Sequence, residues 1–177
     1  MKNILIVVDM QNDFIDGALG TPEARAIVPA VAERIRKARE EGWRVIFTLD
    51  THAEDYLETA EGKNLPVEHC VRFTGGWFLH TDILVQAAGC EMVEKPTFGS
   101  VALASMLFRE TADDEEEPHI ELAGVCTDIC VVSNALLLKA TMPEAEIVVD
   151  SALCAGSTPE KHAAALDVMR SCQIKVL

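Results

Sequence analysis

Four positions in this sequence carry side chains suited to acyl chemistry: Asp9, Asp50, Lys95 and Cys130. Each stands at the end of an apolar run or in the turn that follows one. A cysteine in the first turn of a helix feels the positive end of the backbone dipole, and a nearby ammonium favours its thiolate further. Cys130 meets the first condition by its place after the Gly124-Val125-Cys126-Thr127 turn, and Lys95 is the candidate for the second. Asp9 can accept the thiol proton and return it to a leaving amine. The chemistry would be nucleophilic attack on a carbonyl, with a carboxylate as proton carrier where a histidine is usual.

A second group suits a metal. Asp50-Thr51-His52 sets a carboxylate and an imidazole two residues apart, on one side of an extended segment, and His69 follows in the same loop region. Two nitrogens and a carboxylate suit zinc, iron or manganese, with water or substrate completing the shell. Glu58 and Glu61 both lie between the histidines and either can reach back; Glu61 is preferred because Gly62 after it permits a tight turn. The six cysteines form no C-x-x-C pair and are expected to be reduced. A disulfide between Cys126 and Cys130 is disfavoured because a tight turn entering a helix rarely offers the required geometry. His80, His119 and His162 have no partner pattern and read as surface or capping groups.

These groups need a scaffold that delivers them to one place. Residues 4–8 are a continuous aliphatic run, as expected of a strand covered on both faces of a parallel sheet. A helix follows, with Pro29 in its first turn, Val31, Ile35 and Ala38 on one face, and Gly42 as its left-handed C-terminal residue. Residues 44–49 form a second strand, and residues 51–79, with few periodic signals, read as a long functional loop region. Further strands are expected over 91–94, 119–123, 146–149 and 174–177. Helices are expected over 82–88, over 100–109, around Cys130, and from the capping-box spacing Ser157-Thr158-Pro159-Glu160 to about 171. Five acidic residues at 113–117 read as a solvated connector. Strands alternating with helices predict an open, mostly parallel α/β sheet with right-handed crossovers. In such sheets ligands bind outside the carboxyl ends of the strands, where Asp9, Asp50, Lys95 and the turn before Cys130 all fall.

The 177 residues, 49% hydrophobic and 25% charged, suit a single domain spanning 1–177. Fifteen basic against 29 acidic side chains give a formal charge of −14, which repels phosphate backbones and anionic lipid; nucleic acid is not an expected partner. No apolar run approaches the roughly 18 residues of a membrane span, and the run at 4–8 is too short for a secretory signal. No membrane association and a cytoplasmic location are expected, with a homo-oligomer as the assembly.

Specific segments recur in order along nearly the whole chain: residues 7–14 (VVDMQNDF), Asp50-Thr51-His52, Leu65-Pro66 with His69-Cys70, Glu94-Lys95-Pro96 with Phe98, and Gly124-Val125-Cys126-Thr127-Asp128 with Cys130-Val131. This set resembles the isochorismatase-like cysteine hydrolases, particularly their nicotinamidase branch. The resemblance implies a three-layer, Rossmann-like sheet with helices on both faces, a triad of Asp9, Lys95 and Cys130, and a cis peptide before Cys126. It also implies an oxyanion hole made by the backbone N–H groups of Cys126 and Cys130. A metal site on Asp50, His52 and His69 follows as well, holding one divalent transition metal, zinc foremost with iron or manganese as alternatives, that engages the ring nitrogen of the substrate.

The sequence departs from the common pattern in two places. Residues 53–58 lack the histidine that often follows the first pair, which is where Glu61 enters, and Leu65 stands where a tryptophan is often found. An aromatic wall of the substrate pocket then falls to Phe14 or Trp77, the latter equally readable as a packed loop anchor. The implied reaction is hydrolysis of a small carboxamide through a thioester, nicotinamide to nicotinate and ammonia. Two alternatives remain. One is a metal-independent relative cleaving a ureido or carbamoyl amide, against which Asp50, His52 and His69 argue. The other is a catalytically silent binding protein on the same fold, against which the intact Asp9, Lys95 and Cys130 set argues.

Overall fold

The computed structural model describes residues 2–177. Its strands are β1 (Asn3–Val8), β2 (Arg44–Asp50), β3 (Glu91–Lys95), β4 (His119–Val125), β5 (Glu146–Ala155) and β6 (Lys175–Val176). Its α-helices are α1 (Asn12–Ile15), α2 (Pro22–Glu40), α3 (Ala60–Asn64), α4 (Thr81–Leu84), α5 (Val101–Thr111), α6 (Val132–Thr141) and α7 (Pro159–Ser171). The strands form one sheet in the order β3-β2-β1-β4-β5-β6, and every neighbouring pair is parallel. The chain steps outward from β1 to β2 and β3, then returns to the other side of β1 with β4. That reversal puts the topological switch point at the carboxyl ends of β1 and β4, the place where open α/β sheets bind ligands.

Period-two alternation explains the unbroken aliphatic run of β1. Leu5 and Val7 pack on one face with Val28, Val31 and Ile35 of α2, while Ile4, Ile6 and Val8 pack on the other with Leu103 and Leu107 of α5, Leu138 of α6 and Leu166 of α7. Both faces are dry, so neither register position tolerates a polar side chain. Among the described residues no helix is long and apolar enough to cross a membrane.

Several boundaries differ from the sequence expectation. The second helix begins at Pro22, not near Pro29: Thr21 caps it by accepting from the Ala24 N–H, and Pro22 occupies the first turn, so Pro29 lies inside the helix. The segment 51–79 is ordered into a 3₁₀ turn at Tyr56–Glu58, helix α3, and an isolated bridge between His52 and Val71. The helix expected over 82–88 spans only Thr81–Leu84. β5 continues past Asp150 to Ala155 because an irregularity between Leu122 and Gly124 lets it resume pairing with β4. Thr158, not Ser157, caps the last helix.

One ion pair sits against the sheet under α2. Arg34 donates from Nε and Nη2 to both oxygens of Glu121 on β4, at 2.7 and 2.8 Å, and its guanidinium lies 4.3 Å from the centroid of the Trp43 ring. Replacing Arg34 with methionine strands a carboxylate beneath the helix. A loss of about 3 kcal/mol in unfolding free energy is expected, read by urea denaturation at neutral pH, and a loss below about 1 kcal/mol would show that water reaches Glu121.

Candidate active site

The carboxyl end of β1 closes on Asp9, a non-glycine residue at φ 49°. Its backbone N–H donates to the Thr48 carbonyl and hydroxyl oxygens, and its Oδ1 accepts from the Thr48 hydroxyl at 2.6 Å. With Oδ1 tethered, Oδ2 faces Lys95 Nζ at 2.7 Å. Lys95 ends β3, whose Cα register pairs it with Asp50 on β2. The lysine therefore starts two strands away from Asp9 and needs its four-carbon stem to reach across β2. Its side chain has no solvent exposure, and besides Asp9 it meets Asp50 Oδ1 at 3.2 Å, the Thr97 carbonyl at 3.2 Å and Cys130 Sγ at 3.4 Å.

Cys130 arrives from the other side of the switch point. β4 passes so close to β1 that a Cβ on Gly124 would lie 2.1 Å from the Val8 carbonyl oxygen, and Gly124 itself sits at φ 124°. The Val125–Cys126 peptide is cis, and a π-helical turn over Thr127–Val131 then carries Cys130 into α6. Single-turn π-helices are frequent at functional sites. Three side chains pin the turn. Asn134 donates to the Cys130 carbonyl at 2.8 Å, the Asp128 carboxylate accepts from the Ser157 N–H and hydroxyl at 2.7 Å each, and Thr127 Oγ1 lies 2.8 Å from His162 Nδ1. His162 is thus half-buried in the scaffold of the turn and is not the surface group its isolation in the sequence suggested. His80, by contrast, caps α4, and His119 meets Glu146.

Burial acts against the thiolate that helix position and Lys95 favour. Burial, and next the Asp9 carboxylate, push the Cys130 thiol well above its ordinary value, and the pull of Lys95 in the other direction is outweighed. Burial likewise raises the Asp9 carboxyl, against the pull of Lys95. Burial works against a charged Lys95, but Asp9, Cys130 and Asp50 outweigh it and keep the ammonium charged. Burial and the Asp9 carboxylate thus favour the thiol form of Cys130, and Lys95 opposes them. All six cysteines are free thiols.

Asp50 turns its second oxygen to a different set of partners. Its Oδ2 lies 3.1 Å from His52 Nε2 and 3.6 Å from His69 Nε2; Glu61 Oε1 lies 3.7 and 3.8 Å from the same nitrogens. Donors about 2.1 Å from a common tetrahedral ion stand about 3.4 Å apart, so these separations bracket those of a metal shell. His69 Nδ1 donates to the Val67 carbonyl at 2.8 Å, which leaves Nε2 as the free lone pair facing the cluster. The four ligand atoms lie within 4.8 Å of one another. Glu58 is exposed and outside this group. Glu61 reaches it because Thr59 caps α3 and sets Glu61 in the first turn. Gly62 serves differently from the turn expected of it: a Cβ there would meet the Tyr56 carbonyl at 2.1 Å, so its role is close packing.

A cavity of about 310 Å³ joins the two groups. Phe14, Leu19, Leu65, Phe98 and Ile129 wall it, and Cys130, Asp50, Glu61 and His69 open into it. Phe14 stacks edge-on to His69, with ring centroids 5.5 Å apart. Trp77 is not in the wall. Its indole N–H donates to Thr51 Oγ1 at 2.9 Å and its ring packs between Phe73 and Phe78, making it a loop anchor and correcting its assignment to the substrate pocket. Thr48 and Gln11 were not singled out by sequence, and the signal lay in their positions: one stands two residues before Asp50, the other two after Asp9. Phe98, which follows the Glu94-Lys95-Pro96 segment, also lines the cavity, and nothing in its spacing marks it as pocket lining.

Comparison with known proteins bears on this arrangement. The Isochorismatase domain model matches residues 3–177. The isochorismatase family protein PncA of Bacillus subtilis is 31% identical over 175 residues, covering 94% of this chain and 93% of that one. The crystal structure of nicotinamidase/pyrazinamidase PncA from Bacillus subtilis superposes with a TM-score of 0.85 at 28% identity, covering 99% of each chain. The pyrazinamidase of Pyrococcus horikoshii in complex with zinc gives a TM-score of 0.80 at 30% identity, covering 100% of this chain and 99% of that one.

Proposed function

This chain belongs to the isochorismatase family, and within it we propose a cysteine amidohydrolase that converts nicotinamide to nicotinate and ammonia, with Asp9, Lys95 and Cys130 as its catalytic residues. The observation that carries the reading is the buried ammonium of Lys95, within 2.7 Å of a carboxylate oxygen and 3.4 Å of a thiol sulfur. A binding protein gains nothing from burying these three groups together, because each is costly to desolvate.

Burial and Asp9 favour the thiol form of Cys130, and from that form proton removal accompanies attack. Asp9 takes the proton as Sγ bonds to the amide carbon, and Lys95 stabilises the charge that develops on sulfur. The amide oxygen becomes an oxyanion held by the backbone N–H groups of Cys126 and Cys130. Asp9 then delivers the proton to the amide nitrogen, the C–N bond breaks, and ammonia leaves a thioester. Water attacks that carbonyl while Asp9 accepts its proton; the C–S bond breaks, the Asp9 proton returns to sulfur, and the acid departs as nicotinate after giving its carboxyl proton to solvent or to ammonia. Asp50, His52, Glu61 and His69 fit a divalent transition metal, and zinc suits two imidazoles and two carboxylates. When bound, such an ion supplies a Lewis acid for a ring nitrogen of the substrate. Phe14 and Phe98 enclose the ring and keep bulk water from the thioester face.

Ammonia release from nicotinamide by metal-supplemented protein tests the reading. Benzamide, which lacks the ring nitrogen, should be at least about tenfold poorer in kcat/KM, about 1.4 kcal/mol of discrimination. No release from nicotinamide, with release from an N-carbamoyl amide, would favour the carbamoyl alternative. Lys95→Met removes the cation nearest the sulfur, so the pH profile for iodoacetamide alkylation of Cys130 should move upward. An unmoved profile would take Lys95 out of the mechanism.

A further inference from the structure

We propose that Gln11 is the positioning residue that fixes Asp50 between the triad and the metal cluster, acting as a side-chain substitute for a missing strand residue. The inference rests on the metal reading given above and adds a residue to it. β1 pairs with β2 only as far as Val8 opposite Thr48. At Asp9 the backbone turns to φ 49° and leaves the sheet, so the last residue of β2 loses its neighbour on that side. Gln11, fully buried, fills the gap. Its Oε1 accepts from the Asp50 N–H at 2.8 Å, and its Nε2 donates to the Asp50 carbonyl at 2.9 Å. One side-chain amide thus satisfies both backbone groups of Asp50, as a strand peptide would. The second Nε2 proton goes to the Trp77 carbonyl at 2.8 Å, so three of the amide's partners are backbone atoms and their directions are fixed.

What this secures is the direction of one carboxylate. Asp50 divides its oxygens, Oδ1 to Lys95 and Oδ2 to the two imidazoles, so a shift of its backbone would disturb both sets of contacts at once. Lys95, on the opposite neighbouring strand, constrains Asp50 from one side only. Gln11 supplies the constraint from the other. The same amide ties the Trp77 loop to the strand end, and the Trp77 indole returns to Thr51, next to Asp50 in sequence. The neighbourhood of Asp50 is therefore anchored by Gln11 twice, directly and through that loop.

Gln11→Glu keeps the shape and the acceptor but loses both donors; Gln11→Met keeps the length and loses all three bonds. Zinc titration of the metal-free proteins, by competition with a chromophoric chelator, is the readout. The dissociation constant should rise by about tenfold or more in both variants, the range expected when an outer partner of a metal ligand is removed. Met10→Ala is the control. Met10 is equally buried in the core but has no amide to bond the Asp50 backbone, so its truncation should lower thermal stability while leaving zinc affinity within about threefold of the parent. Affinity within threefold of the parent in either Gln11 variant that folds overturns the proposal. So does an equal loss in Met10→Ala, because affinity would then follow general stability. If the parent itself binds no zinc, the metal reading fails and this inference falls with it, an outcome distinct from a parent that binds and a variant that binds as well. Should neither Gln11 variant fold, the residue is a core element and the positioning role is rejected.

Discussion

Cys130→Ala is expected to lower turnover of nicotinamide by at least about 10⁴-fold, some 5 to 6 kcal/mol of barrier, while the protein stays folded and still binds the amide. The separation of effects follows from what the change removes. Cys130 is buried among apolar neighbours of α6 and β4, so losing one sulfur leaves a small void and about 1 kcal/mol of lost stability. Lys95 keeps its two carboxylates, Asp9 keeps Thr48, and the four-residue cluster keeps all of its own side chains. Steady-state ammonia release gives the first quantity, and calorimetric titration with nicotinamide gives the second. Activity within about tenfold of the parent would exclude a covalent role for the thiol and turn attention to the Asp9 and Asp50 carboxylates at Lys95. Loss of binding in parallel with turnover would instead mean that the sulfur shapes the pocket.

Chelation of the metal, or His69→Ala, is expected to weaken binding of nicotinamide by about 100-fold, near 2.7 kcal/mol. Alkylation of Cys130 by iodoacetamide should change by less than about threefold. The cluster and the thiol open into one cavity, so a ring placed on the cluster can present its amide to the sulfur without the ion touching the scissile bond. Asp50 is the one group common to both, through Oδ2 to the imidazoles and Oδ1 to Lys95. If alkylation slows as steeply as binding weakens, charge at the cluster is reaching the sulfur through Asp50 and Lys95, and the two tasks are not separable. Metal content after supplemented expression belongs to the same experiment. Less than about 0.2 equivalents per chain would count against a site with two imidazoles and two carboxylates.

The parts of this molecule legible in its sequence are those where local chemistry and burial agree. Residues 4–8 announce an inner strand because both faces of β1 are dry. Asp9, Asp50 and Lys95 end their runs because a polar side chain becomes tolerable only where a strand leaves the core, and in a parallel sheet those ends share a rim. Less legible is anything set by reach across the sheet. That Lys95 spans β2 to meet Asp9 depends on strand order, which periodicity does not encode. The thiol is a related case: helix position and a nearby cation are sequence-level cues for a thiolate, whereas the burial that opposes them belongs to the folded whole. Pro29 misled because a proline suggests a helix start wherever it stands, and the Thr21-Pro22 pair upstream is the stronger signal. Trp77 invited a pocket role because a large aromatic in a glycine-bearing loop serves equally as wall or anchor until its indole partner, Thr51, is known.

The ammonium at the centre is delivered by β3, which the strand order leaves at the margin of the sheet, paired only with β2 through five residues from Glu91 to Lys95. A marginal strand is the one most free to slip, and a slip of one residue turns every side chain to the opposite face. Moving β3 by one position would put Glu94 or Pro96 where Lys95 stands, leaving two buried carboxylates facing a third or facing nothing. On the proposed reading such a chain would be inert even with Cys130, the Asp50, His52, Glu61 and His69 cluster and the cavity in order. Turnover in this protein is therefore a gauge of strand alignment, and a population of molecules with a frayed or misaligned margin would read as a lower active fraction in a thiol or turnover titration, with no change in the KM of the molecules that remain.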